Sequence, residues 1–396
     1  MQDSRSKLYK EVLDRALAAQ DLVVSLRRQL HATPEIGFEL HQTSKIIEEA
    51  LSKLPLKLKT AVGKTGILAE LIIDEKLPWV ALRADMDALP MNENSGETFT
   101  SKNPGAAHMC GHDAHSAMLV GAAHVLTQMK GQLKRNVRFI FQPSEEALPG
   151  GAPAMIDGGA LIGVEEVFGI HVWPLLASGK IGICQGPAMA QPDTFEIEIF
   201  GSGGHAAVPQ LCVDPIIVAA QLIQTLQTLV SRNSDPLKSV VVSVTKVHGG
   251  TADNVIPERV TLGGTIRTFE SSVQVATERR FREIVESLPK VFGARAELIY
   301  HQGYPPLIND LRVGERCAKL AADFLGQSEV VYPADPVMGG EDFAFYTKQK
   351  PGVFVFLGNF DEAVGAKFMC HDPRFKVDER IFSRGVSLHS LFALSL

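Results

Sequence analysis

Cysteine is scarce in this sequence. Five residues in 396 (Cys110, Cys184, Cys212, Cys317 and Cys370) follow no regular spacing. That excludes a disulfide framework and points to a reducing, cytoplasmic setting. Long apolar runs are missing as well. No stretch approaches the roughly 18 residues that span a bilayer. The polar opening Met1–Lys7 lacks the apolar segment of a secretory signal, so no membrane partner is expected. Charge of one sign is not concentrated anywhere. Lys and Arg number 39 against 45 Asp and Glu, a net charge of −6, and the basic residues are scattered. Nucleic acid is set aside as a partner on that ground. Internal repeats and low-complexity tracts are absent too.

What remains has the profile of a globular enzyme, with 45% hydrophobic and 21% charged residues. A chain of 396 residues exceeds the roughly 250–300 at which one core divides, so two domains are expected. Apolar residues at helical spacing predict a helix over 8–30, and further helices are expected over 40–53 and 116–129. Segments 66–73, 79–83, 137–141 and 167–172 read as strands. This alternation predicts an α/β fold, a mostly parallel mixed sheet sandwiched by helices, with ligands bound beyond the carboxyl ends of the strands. The pattern changes near residue 190. Segment 194–200 alternates with period two, as an antiparallel strand with one wet face does. A helix over 213–230, strands over 240–247 and 259–267, a helix over 272–288 and an extended 296–300 complete a βαββαβ order. That order predicts an inserted ferredoxin-like α+β domain at 189–302, inside a larger one built from 1–188 and 303–396. The chain then closes with a helix over 378–394.

Chemistry-bearing residues gather after the apolar runs. His108-Met109-Cys110-Gly111-His112-Asp113-Ala114-His115 packs three imidazoles, a thiol and a carboxylate into eight positions of a chain with 12 His. Such donors suit Zn2+, Mn2+, Co2+ or Ni2+. Cys110 and His112, read as a glycine-containing turn before a helix, can aim at one point; His108 and His115 read as loop or cap residues. Asp85 and Asp87 follow strand 79–83 and can serve a metal directly, orient a histidine ligand from behind, or simply cap a turn. Glu145 and Glu146 follow strand 137–141. If Glu146 holds a cation, Glu145 can act as general base toward a water that the cation polarises; the bland alternative is a solvated pair opening a helix. His171 lies within an apolar strand, where histidines are usually satisfied core residues, and His371 just precedes the last helix. Together Cys110, His112, Glu146, His171 and His371 suit a two-cation hydrolytic centre. Cys110 acting as a thiol nucleophile beside a histidine is a rival reading, and a silent metal-binding protein is another. In the inserted segment, the glycine-rich loop 201–207 presents His205, Asn254 sits in a loop, and Arg267 at a strand end can grip a carboxylate.

Taken in order, His31–Glu35, Arg83–Pro90, His108–His115, Gln142–Glu146, Gly169–Trp173, Gly201–Pro209, Asn254–Pro257 and Gly339–Phe343 resemble the amidohydrolase branch of the aminoacylase/carboxypeptidase-type dimetal metallopeptidases. That branch includes hippurate hydrolases, N-acyl-L-amino acid amidohydrolases and plant auxin-conjugate hydrolases. The resemblance implies two divalent metal ions held by Cys110, His112, Glu146, His171 and His371, with Glu145 as the general base. It implies that His205 and Asn254 bind the scissile carbonyl or the substrate carboxylate, and places Arg267 and Glu341 in substrate-binding motifs. The inserted domain would be a lid that also makes a homodimer or higher homo-oligomer. The substrate would be a small N-acyl amino acid, with a dipeptide or carboxypeptidase substrate as the alternative. Relatives often carry a basic residue at the position of Ser202 and His at that of Gln210, and read His-Ser-Pro where this chain has His371-Asp372-Pro373. The first two departures bear on substrate preference, and none of the three removes a ligand.

Overall fold

The structure, a computed structural model, describes residues 2–395. In chain order the first part contains α1 (Gln2–Ala18), α2 (Gln20–Ala32), α3 (His41–Leu51), β1 (Lys57–Val62), β2 (Gly66–Leu71), β3 (Trp79–Asp85), α4 (His112–Gln128), β4 (Asn136–Gln142), α5 (Ala152–Asp157), β5 (Val164–Ala177), β6 (Ile181–Cys184) and β7 (Pro187–Met189). The middle contains β8 (Gln191–Phe200), β9 (Gly204–His205), α6 (Pro215–Leu226), β10 (Val240–Gly249), β11 (Val255–Ile256), β12 (Arg259–Thr268), α7 (Ser271–Val291), β13 (Arg295–His301) and β14 (Leu307–Ile308). The last part contains α8 (Leu311–Leu325), β15 (Val330–Ala334), α9 (Ala344–Thr347), β16 (Gly352–Phe360) and α10 (Phe382–Leu394). Two compact units emerge. One holds the chain up to Ala188, Ile308–Asp335 and the chain from Asp342 on; the other holds Met189–Leu307 and Pro336–Glu341.

The first unit is built on an eight-stranded sheet ordered β1-β2-β4-β3-β5-β16-β6-β15. Its centre is parallel: β3 pairs with β4 and β5, and β5 with β16. The strands β4 (Asn-Val-Arg-Phe-Ile-Phe-Gln) and β16 are buried almost throughout, as strands covered on both faces must be. β2 and β6 join by antiparallel pairing, and β1 forms an edge. The final helix α10 is buried on nearly every side and packs on α1, α2, α4, α8 and β5, with Phe392 stacked on Phe168 at 4.5 Å between ring centroids. Its polar Ser387, His389 and Ser390 are buried with the apolar residues.

Some expected helices of this unit are drawn differently; the closing one starts at Phe382 rather than 378. The single helix over 8–30 divides at Ala19, where the chain turns while its amide still bonds Arg15 O and its carbonyl still accepts from Val23 N. The turn lets Val23, Leu26 and Leu30 enter the core while Leu17 and Leu22 stay exposed. The helix expected from 116 begins four residues earlier, at His112.

The second unit carries a four-stranded sheet ordered β10-β12-β8-β13, antiparallel throughout, with α6 and α7 packed against it. This is the expected ferredoxin-like arrangement. The alternation in β8 puts Phe195, Ile197 and Ile199 into the core, where they meet Leu222, Leu226, Phe281 and Ile284. Expected helix 213–230 is shorter, ending at Leu226 before a wider turn at Leu229–Asn233.

Candidate metal centre

The carboxyl ends of neighbouring parallel strands deliver the polar residues. β3 ends at Asp85 with Asp87 two residues on; β4 ends at Gln142, just before Glu145 and Glu146; His171 lies within β5. Cys110 and His112 flank the start of α4, and His371 precedes α10 in sequence. Gly111 is the left-handed N-cap of α4, at φ +99°. A Cβ there would also lie 2.4 Å from Val172 Cγ2, so only glycine lets the loop turn Cys110 and His112 toward the sheet. Two non-glycine residues in the left-handed region lie here, Ser144 (φ +56°) and His371 (φ +71°). Each costs about 1–3 kcal/mol and persists only where the surroundings dictate it. For His371 one such constraint is the amide, which donates to Met109 O at 2.7 Å.

The donor atoms converge. Cys110 Sγ lies 3.5 Å from His171 Nε2. His112 Nε2 lies 3.7 Å from Glu146 Oε1 and 4.0 Å from Glu145 Oε2. His371 Nε2 lies 3.3 Å from Glu146 Oε2. Among the described residues, Cys110, His112 and His171 form one group whose ligand atoms lie within 4.8 Å of one another, and Cys110, Glu146 and His371 form a second. The two triads share the thiol.

Hydrogen bonding leaves the right atoms over for cations. His112 Nδ1 donates to Asp87 O at 2.9 Å and His171 Nδ1 to Val172 O at 2.7 Å. Those bonds set the tautomers and point both Nε2 lone pairs into the cluster. His112 Nε2 and Glu146 Oε1 are buried without a hydrogen-bond partner. A protein pays for such atoms unless something satisfies them, and a divalent cation among sulfur, nitrogen and oxygen donors would do so. The residues present therefore fit two metal ions. The electrostatics agree. Burial alone would lower His112, but Asp85, the Asp87 hydrogen bond and Glu146 hold it well above its ordinary value. Interaction with Cys370, burial and the Glu146 charge push the Cys110 thiol well above its own. A bound cation offsets such an excess of negative charge.

Behind the donors stands a rigid frame. Asp87, fully buried, accepts the Glu145 amide at 2.9 Å on Oδ1 and the Glu146 amide at 3.1 Å on Oδ2. It thereby holds both glutamates, and through its carbonyl it holds His112. Asp85 accepts from Arg83 Nη1 at 2.6 Å and from His115 Nδ1 at 2.7 Å. His115 Nε2 in turn accepts the Val172 amide at 2.9 Å, next to His171. His115, read from sequence as a loop or cap residue, is thus a buttress between two strands. The buried His108 lacks a hydrogen-bond partner on either ring nitrogen, and burial pushes it down to about 3. Neither residue carries a sequence signal that separates it from the neighbouring candidate ligands.

The remaining candidates belong to the second unit. His205 is exposed on β9, which pairs with β11 so that His205 faces Val255. Asn254 O accepts the Ala206 amide at 3.0 Å, so His205 and Asn254 share one small ribbon. Arg267, on β12, bonds Thr265 Oγ1 at 2.9 Å and Met338 O at 3.3 Å. Glu341 is buried in the returning segment Pro336–Glu341.

Comparison with known proteins agrees in fold and chemistry. The profile of peptidase family M20/M25/M40 matches residues 81–395. An N-acetyl-L-cysteine deacetylase of Bacillus subtilis (strain 168) is 41% identical over 359 residues, 90% of this chain and 84% of that protein. The IAA-amino acid hydrolase ILR1-like 4 of Arabidopsis thaliana is 40% identical over 377 residues, covering 94% and 85%. Among solved structures, the Bacillus subtilis YXEP protein, described as a dinuclear metal binding peptidase, superposes with a TM-score of 0.81 at 36% identity, covering 96% of this chain and 98% of that one.

Proposed function

The chain belongs to peptidase family M20/M25/M40 and is a metal-dependent hydrolase, and we propose that it cleaves the amide bond of N-acyl amino acids to a carboxylic acid and a free amino acid. The observation that carries this reading is the pair of donor triads sharing Cys110, with Glu145 beside them. The relatives' named substrates, N-acetylcysteine and an auxin–amino acid conjugate, are both N-acylated amino acids.

In this reading Cys110, His112, Glu146, His171 and His371 hold two divalent cations. Cations there supply Lewis-acid polarisation of the scissile carbonyl and a lowered pKa for the attacking water. Glu145 accepts the water proton and passes it to the amine nitrogen as the C–N bond breaks. Asp87 fixes Glu145 through its amide, so the base needs no reorganisation at the moment of transfer. His205 donates to the developing oxyanion, and Asn254, Arg267 and Glu341 bind the rest of the substrate. The mixed S, N and O donor set suits Zn2+ and also Mn2+, Co2+ or Ni2+. Exposed Leu211, Ile216, Ile217 and Val247 on the second unit support a homodimer through that unit, which light scattering would measure. Five free cysteines support a reducing, cytoplasmic location, which cell fractionation would check.

The test is dialysis against a chelator, reconstitution with one metal at a time, and assay on N-acetyl, N-benzoyl and dipeptide substrates. Recovery of N-acyl amino acid hydrolysis on metal addition is expected. Full activity in metal-free protein would favour Cys110 as a nucleophile instead, and no hydrolysis across the panel with metal bound would overturn the enzymatic reading.

A further inference from the structure

A second thiol reaches the metal centre and has no part in the chemistry above. Cys370 immediately precedes His371, and its Sγ lies 3.9 Å from the Cys110 carbonyl oxygen. The His371 amide bonds Met109 O at 2.7 Å, so the chain at 370–371 runs beside the chain at 109–110. Cys370 is half-buried, within reach of a small oxidant, whereas Cys110 is buried. Among the described residues Cys370 joins no group of three donors able to hold a cation. Cys110 joins both triads, so withdrawing that one sulfur removes a donor from each cation position at once.

We propose that Cys110 and Cys370 form a reversible disulfide that withdraws the shared thiolate and makes metal loading redox-dependent. The proposal rests on the two-cation reading of the same site. Hydrogen peroxide or a small organic disulfide serves as oxidant. With peroxide, the two S–H bonds break and one S–S bond forms. The thiols give up two electrons and two protons, the O–O bond is cleaved, and two waters result. A dithiol reductant reverses the bond, becoming a disulfide itself. Disulfide geometry demands neighbouring backbones, which the pairing of 370–371 with 109–110 supplies. Bound metal competes, because its thiolate ligand is no longer available to attack.

The experiment uses the full chain, stripped of metal and treated with hydrogen peroxide or oxidised glutathione. Non-reducing tryptic mapping should show the peptide 103–130 joined to 368–374, and free thiols should fall from five to three. Zinc added afterwards should bind at least ~100-fold more weakly than to reduced protein, since the loss of groups merely behind a ligand already costs 10–100-fold. Dithiothreitol should restore binding, and prior zinc loading should slow the cross-link. Cys370→Ser should bind zinc normally and keep it under the same oxidant. Absence of the 103–130/368–374 species in oxidised metal-free protein would overturn the proposal, as would Cys370→Ser losing zinc under oxidant as readily as wild type. Reduced wild-type protein that binds no zinc would instead refute the metal reading, while the cross-link is scored separately by mass.

Discussion

Asp87→Asn isolates how the proposed general base, Glu145, is held. The aspartate is fully buried and accepts the amides of Glu145 and Glu146 at 2.9 and 3.1 Å. Hydrogen bonds to a buried charged acceptor are worth roughly 1.5–3 kcal/mol each, neutral ones about 0.5–1.5. Asparagine keeps one oxygen, so one bond survives in weakened form. Its NH2 then faces the other amide, leaving a buried donor unsatisfied at about 1–3 kcal/mol. The local loss comes to roughly 2–4 kcal/mol, against a total stability on the order of 5–15 kcal/mol, so the variant folds. The loss falls on the loop where Ser144 stands at φ +56°, and that strained turn then relaxes. A shift of ~1 Å in a catalytic group costs about 10²-fold. The expected result is a kcat at least ~100-fold lower, a KM within a few fold, and weaker retention of the cation proposed for Glu146. Steady-state kinetics at saturating metal, metal content after desalting and a thermal melt measure the three. A kcat within threefold of wild type would refute the claim that Asp87 positions Glu145.

Glu145→Gln should lower kcat by at least 10²–10⁴-fold, the worth of a general base, with two metals still bound by elemental analysis; near-normal turnover would remove Glu145 from the mechanism. His205→Ala should cost about 10²–10³ in turnover, as loss of one oxyanion donor does, and leave metal content unchanged. Gly111→Ala meets the positive φ and the Val172 contact together, at about 1–2 and 1–3 kcal/mol, so calorimetry should show a lower melting temperature and desalting a loss of metal. Glu93 offers a pH test. Burial would raise its carboxyl, but hydrogen bonds from His31, Ser95 and the Ser101 amide hold it down at about 2. Its contribution is therefore present above the ordinary 4.5 and fades as pH falls toward 2. Its partner His31, buried and opposed by Arg27 but raised by Asp113 and Glu93, contributes below its ordinary value and fades as pH rises through the raised one. The melting-temperature gap between wild type and Glu93→Gln should be widest near pH 5–6 and narrow toward pH 3.5; a gap that widens on acidification would contradict the assignment.

Local pattern carried much of this protein. The apolar runs of β4 and β5, the period-two alternation of β8 and the βαββαβ order could be read directly, because burial on one or both faces of a sheet writes itself into residue periodicity. The five proposed ligands drew notice for a different reason: Cys, His and Glu are the side chains that donate to a cation, and one short stretch, 108–115, concentrates several of them. Other features escaped because their partners lie far away in sequence. Besides the nearby Arg83, Asp85 meets His115, 30 positions on, and the amides on the Asp87 carboxylate lie 58 and 59 positions on. Nothing near Ala19 announces the break that turns α2 into the core. Nothing near Cys370 reveals that its thiol lies over the Cys110 carbonyl, 260 residues back. Composition and spacing thus determined which atoms could bind a cation, since donor chemistry belongs to the residue itself. Which lone pairs stay open, which carboxylate orients rather than binds, and which thiol lies beside which were settled only when distant strands packed together, because hydrogen bonds and exclusion of water depend on neighbours in space.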